Sequence, residues 1–472
     1  MTDPTHIEHI SAAVDRSSKK TLADQIYFNI RSAIEAGRLP DGSRLPSGRD
    51  LAIQLGVARG TVRLAYERLA NENLVSGGKA DGTRVTRKGS VDQAAGPDTA
   101  KSSLMSFAGP HSVKPHPFKM GVPAHDVFPA KLWSRMRTAA VRADALVYWN
   151  YPDPRGELRL REELAKHVAI SRQVVCHPDQ VLITGGYRQG LQLALTSLGA
   201  HGRTAWVEDP CYPVGRRALE LAGLSINPVE VDDQGICVAQ GIATASDAKI
   251  ALVTPGQQAP TGVTMTPARR SALLEWATSN DAWVIEDDYL GELQIDGRAE
   301  PALASMNEGE RVFYLGSFSK TISPALGLGF MVVPRALVPR VLEAATMTSP
   351  APNRTTQLAL AEFIGGGHYL RHLRKMKAVY SERRALLMRT MLACGFGVEP
   401  SGLALMLRLP DDVDDVALAQ NAAANGIAPF PLSPYYRASQ TPPRGLLLGT
   451  SNVHAQNVDA AVGSLTRLLR SL

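Results

Sequence analysis

The chain has 472 residues, a mass of 50.7 kDa and a pI near 9.1, and its length indicates two or three domains rather than one. Hydrophobic residues make up 44% of it and charged residues 20%, which excludes global disorder. The net charge of +6 is informative only if it is clustered, and no apolar run reaches the roughly 20 residues of a membrane helix. The sequence shows no secretory signal, no C-x-x-C pair and no metal motif, so we expect a cytoplasmic protein without a membrane partner.

The first predicted elements, after an N-terminal tail over residues 1–20, form a small module over residues 21–86. Apolar residues at helical spacing predict a first helix that ends at Gly37. Ser47, with Asp50 three residues later, resembles a capping box and predicts the start of a second helix. The module therefore begins with two short helices.

A third helix and a hairpin complete this module. The helix is predicted over about 59–73, and a strand, a glycine-rich turn and a second strand follow it up to residue 85. Three helices followed by a hairpin are the order of a winged helix-turn-helix.

Positive charge is concentrated in this module. Between residues 49 and 88, eight basic residues stand against four acids, which accounts for four of the six net charges of the chain. The basic residues are Arg49, Arg59, Arg63, Arg68, Lys79, Arg84, Arg87 and Lys88. Arginines at the start of a recognition helix reach guanine edges, and basic wing residues neutralise phosphates. The pattern favours DNA binding; the alternative is an interaction domain with a solvated basic face.

The sequence of the module resembles the GntR-type winged helix. The stretch P-S-G-R-D-L-A-I-Q-L-G-V-A-R-G-T-V-R-L-A-Y-E-R-L matches the family pattern in register at many fixed positions. The resemblance implies double-stranded operator DNA as a partner. The residues it implies as DNA contacts are Arg49, Arg59, Thr61, Arg63 and the wing residue Gly82. Ala58 replaces the usual serine, so one phosphate contact is expected to be absent.

Residues 87–117 are predicted to be a linker. They are rich in glycine, serine, alanine, proline and charge, and a loop of this length is unusual inside one compact domain. As a flexible coil of about 30 residues, the linker would span roughly 30 Å.

The remainder, residues 118–472, is predicted to be an α/β domain. Buried-strand patterns alternate with helical patterns, which indicates a mostly parallel sheet flanked by helices. The strands are predicted at 180–184, 204–207, 250–253 and 282–285, and the clearest helices at 157–170, 188–197 and 267–279. A long helix over 369–393 leads into a smaller α+β lobe over about 338–472.

A lysine among small hydroxyl residues follows one further strand. Lys320 ends the stretch L-G-S-F-S-K, and in isolation it reads as a surface residue. A lysine that forms a Schiff base needs an acid, a phenol and a phosphate cradle as partners. The sequence offers all three at strand ends, in 284–289, 184–189 and 208–213. The carboxyl ends of strands are where α/β sheets bind ligands.

These motifs resemble the fold-type I pyridoxal-phosphate enzymes of the aminotransferase class over roughly residues 118–470. With the winged helix in front, the whole chain resembles a MocR-type regulator, the GntR branch with an aminotransferase-like domain. The resemblance implies pyridoxal 5'-phosphate as cofactor, held by Lys320 as a Schiff base. It implies Asp287 at the pyridinium nitrogen, Tyr289 at the ring hydroxyl and Tyr212 stacked on the ring. The implied phosphate contacts are Gly186, Tyr187, Ser317, Ser319 and, from the partner subunit of a homodimer, Tyr151.

Several positions depart from the family pattern. The phosphate-anchoring arginine expected seven residues after the lysine is Gly327, and we hypothesise that Arg188 in the phosphate loop compensates. Gln257, where many regulators have histidine, is a ring-contact candidate or a plain loop residue. Asp287 is preferred over Asp288 because the family places its acid two residues before the tyrosine; Asp288 would then be a solvated neighbour.

The substrate carboxylate poses a separate question. Aminotransferases bind it with an arginine on a strand near the C-terminus, and the matching segment, residues 445–451, carries leucine there. Arg437 and Arg444 lie nearby in sequence, but the sequence does not show where they point. Transamination of an α-amino acid is therefore less secure than cofactor binding.

Two classes of function remain open at this point. The first is a transcription factor that senses an amine, an amino acid or pyridoxal phosphate itself. The second is a working aminotransferase whose N-terminal module serves an accessory role. The winged-helix pattern favours regulation, and a homodimer would place two modules on two half-sites.

Overall fold

A computed structural model describes the protein over residues 14–18, 20–78, 82–86, 115–146, 151–297, 299–348, 351–439 and 441–471. The chain divides into two compact units, Met1–Ser103 and Leu104–Leu472. Most of the predicted tail and linker lie outside the described residues, as do Lys79, Arg87 and Lys88 of the predicted wing. The predicted domain boundaries stay predictions.

The first unit has the predicted winged helix-turn-helix order. Its elements are α1 (Leu22–Glu35), α2 (Gly48–Leu55), α3 (Arg59–Asn71), β1 (Val75–Gly78) and β2 (Gly82–Val85). Ser47 caps α2 as predicted, because its hydroxyl accepts a hydrogen bond from the Asp50 N–H at 3.2 Å. Gly56, with φ of 62°, ends α2 in the left-handed conformation that glycine adopts without strain. Apolar side chains of all three helices and of the hairpin form one buried core.

The second unit contains the predicted α/β domain. Its helices are α4 (Ala130–Asp144), α5 (Leu158–Arg172), α6 (Tyr187–Ser197), α7 (Pro213–Leu221), α8 (Val238–Thr244), α9 (Pro267–Ser279), α10 (Val338–Thr348), α11 (Arg354–Gly365), α12 (His368–Ala393), α13 (Asp415–Ala424) and α14 (Val458–Leu469). Its strands are β3 (Val181–Thr184), β4 (Thr204–Asp209), β5 (Ser225–Asp232), β6 (Gly235–Ile236), β7 (Ile250–Val253), β8 (Trp283–Asp288), β9 (Val312–Ser317), β10 (Gly329–Val332), β11 (Glu399–Ser401), β12 (Ala404–Arg408), β13 (Phe430–Pro431) and β14 (Gly445–Gly449).

A large sheet of eight described strands lies at the centre of this unit, in the order β3-β10-β9-β8-β7-β4-β5-β6. The strands from β9 to β5 pair in parallel, whereas β10 is antiparallel to both β9 and β3. Strands β3, β4, β7, β8 and β9 therefore all point in one direction and end at the same edge of the sheet. This edge collects every motif that the sequence placed after a strand.

The helices after residue 338 pack differently from the prediction. Val341 and Ala345 of α10, and Leu360 and Phe363 of α11, join the buried clusters of the large sheet and its helices. These two helices, assigned from sequence to the small lobe, thus pack on the large one. The core of the small lobe is formed by α12, α13 and α14 against a sheet in the order β11-β12-β14-β13, with Phe118 added from before α4.

None of the described helices has both the length and the apolar composition needed to cross a membrane.

Candidate functional site

The exposed face of α3 carries arginines that the sequence predicted as DNA contacts. Arg59 and Arg63 are exposed and Thr61 is half-buried. Val62 and Leu69 of the same helix are buried in the core of the first unit, so the arginines lie on the face turned away from it. A positively charged helix face of this kind suits the major groove of DNA.

The arginines of this face are held loosely. Arg63 Nε lies 3.5 Å from a carboxylate oxygen of Glu67 one turn along α3, an exposed ion pair of small energetic value. Arg49 on α2 is exposed as well. Ala58 provides no side-chain cap for α3, as its lack of a hydroxyl requires. The guanidinium groups of Arg49, Arg59 and Arg63 are therefore available to a ligand.

The wing adds an arginine that the sequence analysis missed. Gly82 has φ of 71°, and a Cβ at this position would lie 2.9 Å from Arg44 Nε. Arg84 Nη1 donates a hydrogen bond to the Gly42 carbonyl at 2.9 Å, and the backbones of Arg44 and Arg84 form a β-bridge. Arg44 lies two residues before the stretch that matches the GntR pattern, a position that could have marked it. Gly82, which has no side chain, thus leaves room for the Arg44 guanidinium beside β2.

Lys320 lies just after β9 in the second unit. Its Nζ donates a hydrogen bond to the Gly121 carbonyl at 3.0 Å. Burial lowers the pKa of Lys320, the charge of Asp287 opposes this shift, and the charge of Arg188 adds to it. A larger share of the Lys320 side chains is therefore neutral than in water, and a neutral amine is the form that attacks a carbonyl.

Asp287 is the buried acid at the end of β8. Burial and the neighbouring charge of Asp288 raise the pKa of Asp287 to about 7. A hydrogen bond from the Tyr187 hydroxyl and the charge of Lys320 lower this pKa but do not cancel the rise. Asp287 lies opposite Leu315 in the pairing of β8 with β9, which brings it to the strand that precedes Lys320. A buried carboxylate of this kind is stabilised in its charged form by a cationic partner.

Three tyrosines come together at the same edge. The rings of Tyr187 and Tyr212 have centroids 6.4 Å apart and are tilted by 54°. Burial raises the pKa of Tyr212, while Arg188 lowers it through its charge and a hydrogen bond to the hydroxyl. Burial also raises the pKa of Tyr289 well above its usual value, with further contributions from Tyr435 and Asp287.

Hydroxyl groups and a helix N-terminus lie side by side next to these rings. The Ser317 and Ser319 hydroxyls are 2.8 Å apart. Gly186, with φ of 100°, precedes the first residue of the 11-residue helix α6, whose N-terminal N–H groups favour an anion. Gly329 pairs with Ser317, and a Cβ on it would lie 2.9 Å from Gly186 Cα. The serines and the helix start therefore adjoin.

Some predicted residues are not part of this cluster. Gly327 is exposed with open space around it. Tyr151 is fully exposed. Gln257 is buried, and its side-chain oxygen has no hydrogen-bond partner among the described residues.

The expectation for Asp288 was wrong. Its side chain is 2% exposed and pairs with Arg172, which is 1% exposed, with Nε and Oδ2 2.7 Å apart. The Tyr314 hydroxyl donates to the same carboxylate oxygen at 2.6 Å. The reason is directional, because successive strand residues point to opposite faces of a sheet. Asp288 is thus a buried structural partner rather than a solvated neighbour.

The sequence analysis also missed a buried polar cluster beneath the site. The Glu208 carboxylate accepts hydrogen bonds from the Thr254 N–H at 3.0 Å and from the Thr254 hydroxyl at 2.5 Å. Gln258 Nε2 lies 3.3 Å from the same carboxylate and donates to the Pro210 carbonyl at 2.5 Å. Burial raises the pKa of Glu208 to about 7. Glu208 and Gln258 join the loops that follow β4 and β7, next to two cis prolines, Pro210 and Pro260.

A small-lobe loop covers one side of the site. The Asp209 carboxylate accepts hydrogen bonds from the N–H groups of Arg437 at 2.7 Å and Ala438 at 3.0 Å. The Cys211 N–H donates to the Tyr435 carbonyl at 2.9 Å, and Arg216 donates to the same carbonyl at 3.2 Å. These contacts hold the small lobe against the carboxyl end of β4.

The chemistry of the site suits one kind of cofactor. A partly neutral lysine, a buried acid, several phenols and a hydroxyl-lined helix start are the groups that a phosphorylated pyridine aldehyde needs. Among the described residues, no group of three or more histidine, cysteine, aspartate or glutamate side chains could hold a metal ion. The residues therefore fit pyridoxal phosphate.

Comparison with known proteins decides the family. Residues 22–85 match the family of bacterial regulatory proteins, gntR family, and residues 125–464 match aminotransferase class I and II. The probable rhizopine catabolism regulatory protein MocR of Rhizobium meliloti is 30% identical over 471 residues, which covers 96% of this chain and 94% of that protein. The chain belongs to the MocR family.

Other relatives agree with this assignment. The pyridoxine biosynthesis transcriptional regulator PdxR of Corynebacterium glutamicum is 31% identical over 379 residues, which covers 80% of this chain and 81% of that protein. Kynurenine aminotransferase of Pyrococcus horikoshii has the same fold with a TM-score of 0.67 and 24% identity, covering 76% of this chain and 92% of its own. This MocR-family protein is a transcriptional regulator with a GntR-type DNA-binding domain and an aminotransferase-like domain of a fold that implies pyridoxal phosphate.

Proposed function

We propose that this protein binds operator DNA through its winged helix and senses an amine, an amino acid or pyridoxal phosphate itself through cofactor bound at Lys320. The observation that carries the proposal is the placement of three groups at the carboxyl edge of the sheet: Lys320 just after β9, Asp287 at the end of the neighbouring strand β8, and Arg188 at the start of α6 after β3. An amine, an acid and a guanidinium at one strand edge suit a ligand with a carbonyl, a basic ring nitrogen and a phosphate.

Each residue has one role in this proposal. Pyridoxal phosphate supplies an electrophilic carbonyl and an electron-withdrawing ring when it is bound. Lys320 binds the carbonyl carbon through Nζ, and Asp287 holds the proton on the ring nitrogen. Tyr289 hydrogen-bonds the ring hydroxyl, Tyr212 packs on the ring, and Gln257 is a further ring contact. The phosphate lies at the start of α6, where Gly186, Tyr187, Ser317, Ser319 and Arg188 bind it.

A selection experiment tests the sensing function. Duplexes that bind the full-length protein are selected from a random pool, and their affinity is measured by fluorescence anisotropy with and without pyridoxal phosphate and candidate amines. We expect the cofactor or one amine class to change the affinity for the selected duplex. An affinity that none of these compounds alters would remove the sensing role and leave DNA binding.

The arginines of α3 are expected to carry much of the DNA affinity. Arg59→Ala and Arg63→Ala should each weaken binding by about 1–3 kcal/mol, or roughly 5- to 150-fold in Kd, because each loses a base or phosphate contact. Anisotropy with the selected duplex at several salt concentrations measures this loss. Arg38→Ala, an exposed arginine of the same unit outside the predicted contacts, is the control and should leave Kd unchanged.

Arg188 is expected to replace the arginine missing at Gly327 as phosphate anchor. Arg188→Ala should lower the affinity for pyridoxal phosphate roughly 10- to 150-fold, because a charge-assisted hydrogen bond to phosphate is worth about 1.5–3 kcal/mol. Absorbance titration measures the affinity, and Arg217→Ala, an exposed arginine paired with Glu220, is the control. An unchanged affinity in Arg188→Ala would show that the phosphate is held without it.

An exposed apolar strip supports the proposed homodimer. Val141, Leu146, Tyr151 and Leu158 are large, exposed apolar residues within 18 positions of sequence around the end of α4 and the start of α5. In the proposed dimer a second copy covers this strip, and Tyr151 reaches the phosphate of the partner subunit. Light scattering at micromolar concentration measures the state, and a monomer would contradict it.

A working aminotransferase is the second candidate function. The juxtaposition of Lys320, Asp287 and Tyr187 favours it, because these are the groups that transamination uses on its cofactor. A keto acid formed from an amino donor at an enzyme-like rate would establish this activity. A spectral change without keto-acid product supports sensing.

A further inference from the structure

Leu447 lies on the face of the small-lobe sheet that is turned away from the lobe's own core. On β14 its neighbours Leu446 and Leu448 join the core formed with the helices, whereas Leu447 packs with Met406, its partner on β12. This alternation is that of any strand. We call the group on the Leu447 side the apolar cluster; its buried members are Met406, Leu432, Tyr435 and Leu447, and the residues packed against it are Met120, Ala259, Phe430 and Tyr436.

The apolar cluster borders the cofactor site on two sides. Met120 directly precedes Gly121, whose carbonyl accepts the hydrogen bond of Lys320 Nζ. The Tyr435 carbonyl accepts from the N–H of Cys211, the residue before Tyr212. Leu447 therefore belongs to an apolar cluster that adjoins the segments next to Lys320 and Tyr212.

Two small-lobe arginines near this cluster, Arg444 and Arg408, have acidic partners. Arg444 Nη1 lies 3.3 Å from an Asp415 carboxylate oxygen, and Asp415 is fully buried. Arg408, at the end of β12, lies 3.7 Å from Glu399. If either guanidinium moved away to bind a ligand, its carboxylate would lose its charge partner. This loss would cost most free energy for Asp415, because that carboxylate is buried.

The arginines next to the site already have partners or a ligand group assigned to them. The proposed function commits Arg188, at the start of α6, to the phosphate. Arg216 donates to the Tyr435 carbonyl at 3.2 Å and to the Pro434 carbonyl at 3.1 Å. Asp287 and Glu208 are buried acids at the same edge. A second anionic group on a ligand would therefore meet acids, leucine and a guanidinium that already has two acceptors. An ionised carboxylate buried without a partner is strongly disfavoured.

We propose that the effector which reacts at Lys320 is a primary amine without an α-carboxylate, so that its α-carbon faces the apolar cluster. The inference rests on the proposed function and narrows it. The amine nitrogen would form a bond to the cofactor carbonyl carbon, and the bond between that carbon and Lys320 Nζ would break. Lys320 Nζ would take up the proton that the amine nitrogen loses. The exchange needs no oxidant and no net water.

A matched pair of ligands tests the absence of the carboxylate. Isopentylamine and leucine share one side chain and differ by the carboxylate. Each compound is titrated into the cofactor-loaded protein, and visible absorbance gives its half-saturation concentration. The ratio of the leucine value to the isopentylamine value is then divided by the same ratio measured with free pyridoxal phosphate, which gives the corrected ratio. We expect the protein to favour the amine at least roughly tenfold after this correction. Equal response, or a preference for leucine, would overturn the inference and leave the proposed function intact.

Two further outcomes distinguish failure of this inference from failure of the proposed function. If neither compound changes the spectrum while borohydride still traps the cofactor on Lys320, the amine class is wrong and cofactor binding stands. If borohydride traps no cofactor on the protein, the proposed function itself fails.

Variants at position 447 probe the cluster directly. Leu447→Arg places a guanidinium on the site side of β14 and should shift the corrected ratio at least roughly tenfold towards leucine, whereas Leu447→Met conserves volume and should leave it unchanged. Thermal melting reports whether each variant folds; if Leu447→Arg does not, the wild-type ratio decides alone. Arg437→Ala completes the set of variants, because Arg437 is exposed. If leucine changes the absorbance of the wild-type protein but not that of Arg437→Ala, Arg437 binds the carboxylate and the inference is overturned.

Discussion

Replacement of Lys320 with alanine is expected to abolish covalent capture of pyridoxal phosphate. The hydrogen bond of Lys320 Nζ to the Gly121 carbonyl holds the amine just after β9, next to the end of β8 that carries Asp287. Alanine has no amine to attack the carbonyl, so Lys320→Ala lacks the group that forms the covalent bond. We expect complete loss of the mass added after borohydride reduction and of the visible absorbance band of the bound cofactor.

The control for this experiment is a lysine far from the strand edge. Lys166 is exposed on α5 and pairs with Glu163, so Lys166→Ala should retain full trapping. Peptide mapping of the reduced wild-type protein should find the added mass on the peptide that contains Lys320. Trapping that persists in Lys320→Ala would transfer the role to another amine and contradict the assignment. Circular dichroism shows whether the variant keeps its fold.

The local elements of this protein follow from nearby residues, which is why the sequence predicted them well. Helix α9 begins and ends where the pattern predicted, because Thr266 caps it through a hydrogen bond to the Arg269 N–H and Pro267 suits its first turn. The Ser47 cap of α2 is a local feature of the same kind. Periodicity and capping are readable from sequence because all the interacting groups lie within a few positions.

The common location of the site motifs was also predictable. Each motif follows a strand, and strands β3, β4, β7, β8 and β9 point in the same direction, so their ends meet at one edge. This confirms the predicted fold class. The role of each residue at this edge, from Asp287 to Arg188, stays a prediction, because it depends on contacts with a cofactor.

Contacts between distant parts of the chain could not be predicted from local patterns. Tyr435 and Cys211, more than 200 positions apart, are joined by a backbone hydrogen bond. Helices α10 and α11 pack on the large lobe because their apolar faces complete its buried clusters. The Glu208–Gln258 cluster joins two loops in the same way. Nothing near these residues in sequence indicates their partners.

The partner of Asp288 could not be predicted from local sequence either. The run E-D-D at 286–288 reads as one acidic strand end, yet Glu286 accepts the Leu303 and Ala304 N–H groups at 2.9 Å while Asp288 pairs with Arg172. Two acids of one short run thus have entirely different partners. The choice depends on Arg172, more than 100 positions earlier, which the sequence analysis did not consider.

Asp288→Ala is therefore expected to destabilise the second unit by about 3–5 kcal/mol, because it leaves the guanidinium of Arg172 buried without its charge partner. Arg172 retains a hydrogen bond to the Glu300 carbonyl at 2.7 Å, but one neutral acceptor does not replace a carboxylate. Chemical denaturation monitored by tryptophan fluorescence measures the loss as a lower midpoint of the unfolding transition of this unit.

The control is an exposed ion pair of the same unit. Arg159 and Glu362, whose side chains are 60% and 50% exposed, pair at 2.5 Å, and Glu362→Ala should cost at most about 1 kcal/mol. If the loss in Asp288→Ala comes from the unpaired charge, the double variant Arg172→Met with Asp288→Leu should recover part of it, since apolar residues of similar volume leave no charge behind. A double variant less stable than Asp288→Ala would mean that hydrogen bonds to Tyr314 and Glu300, rather than the buried charge, account for the loss.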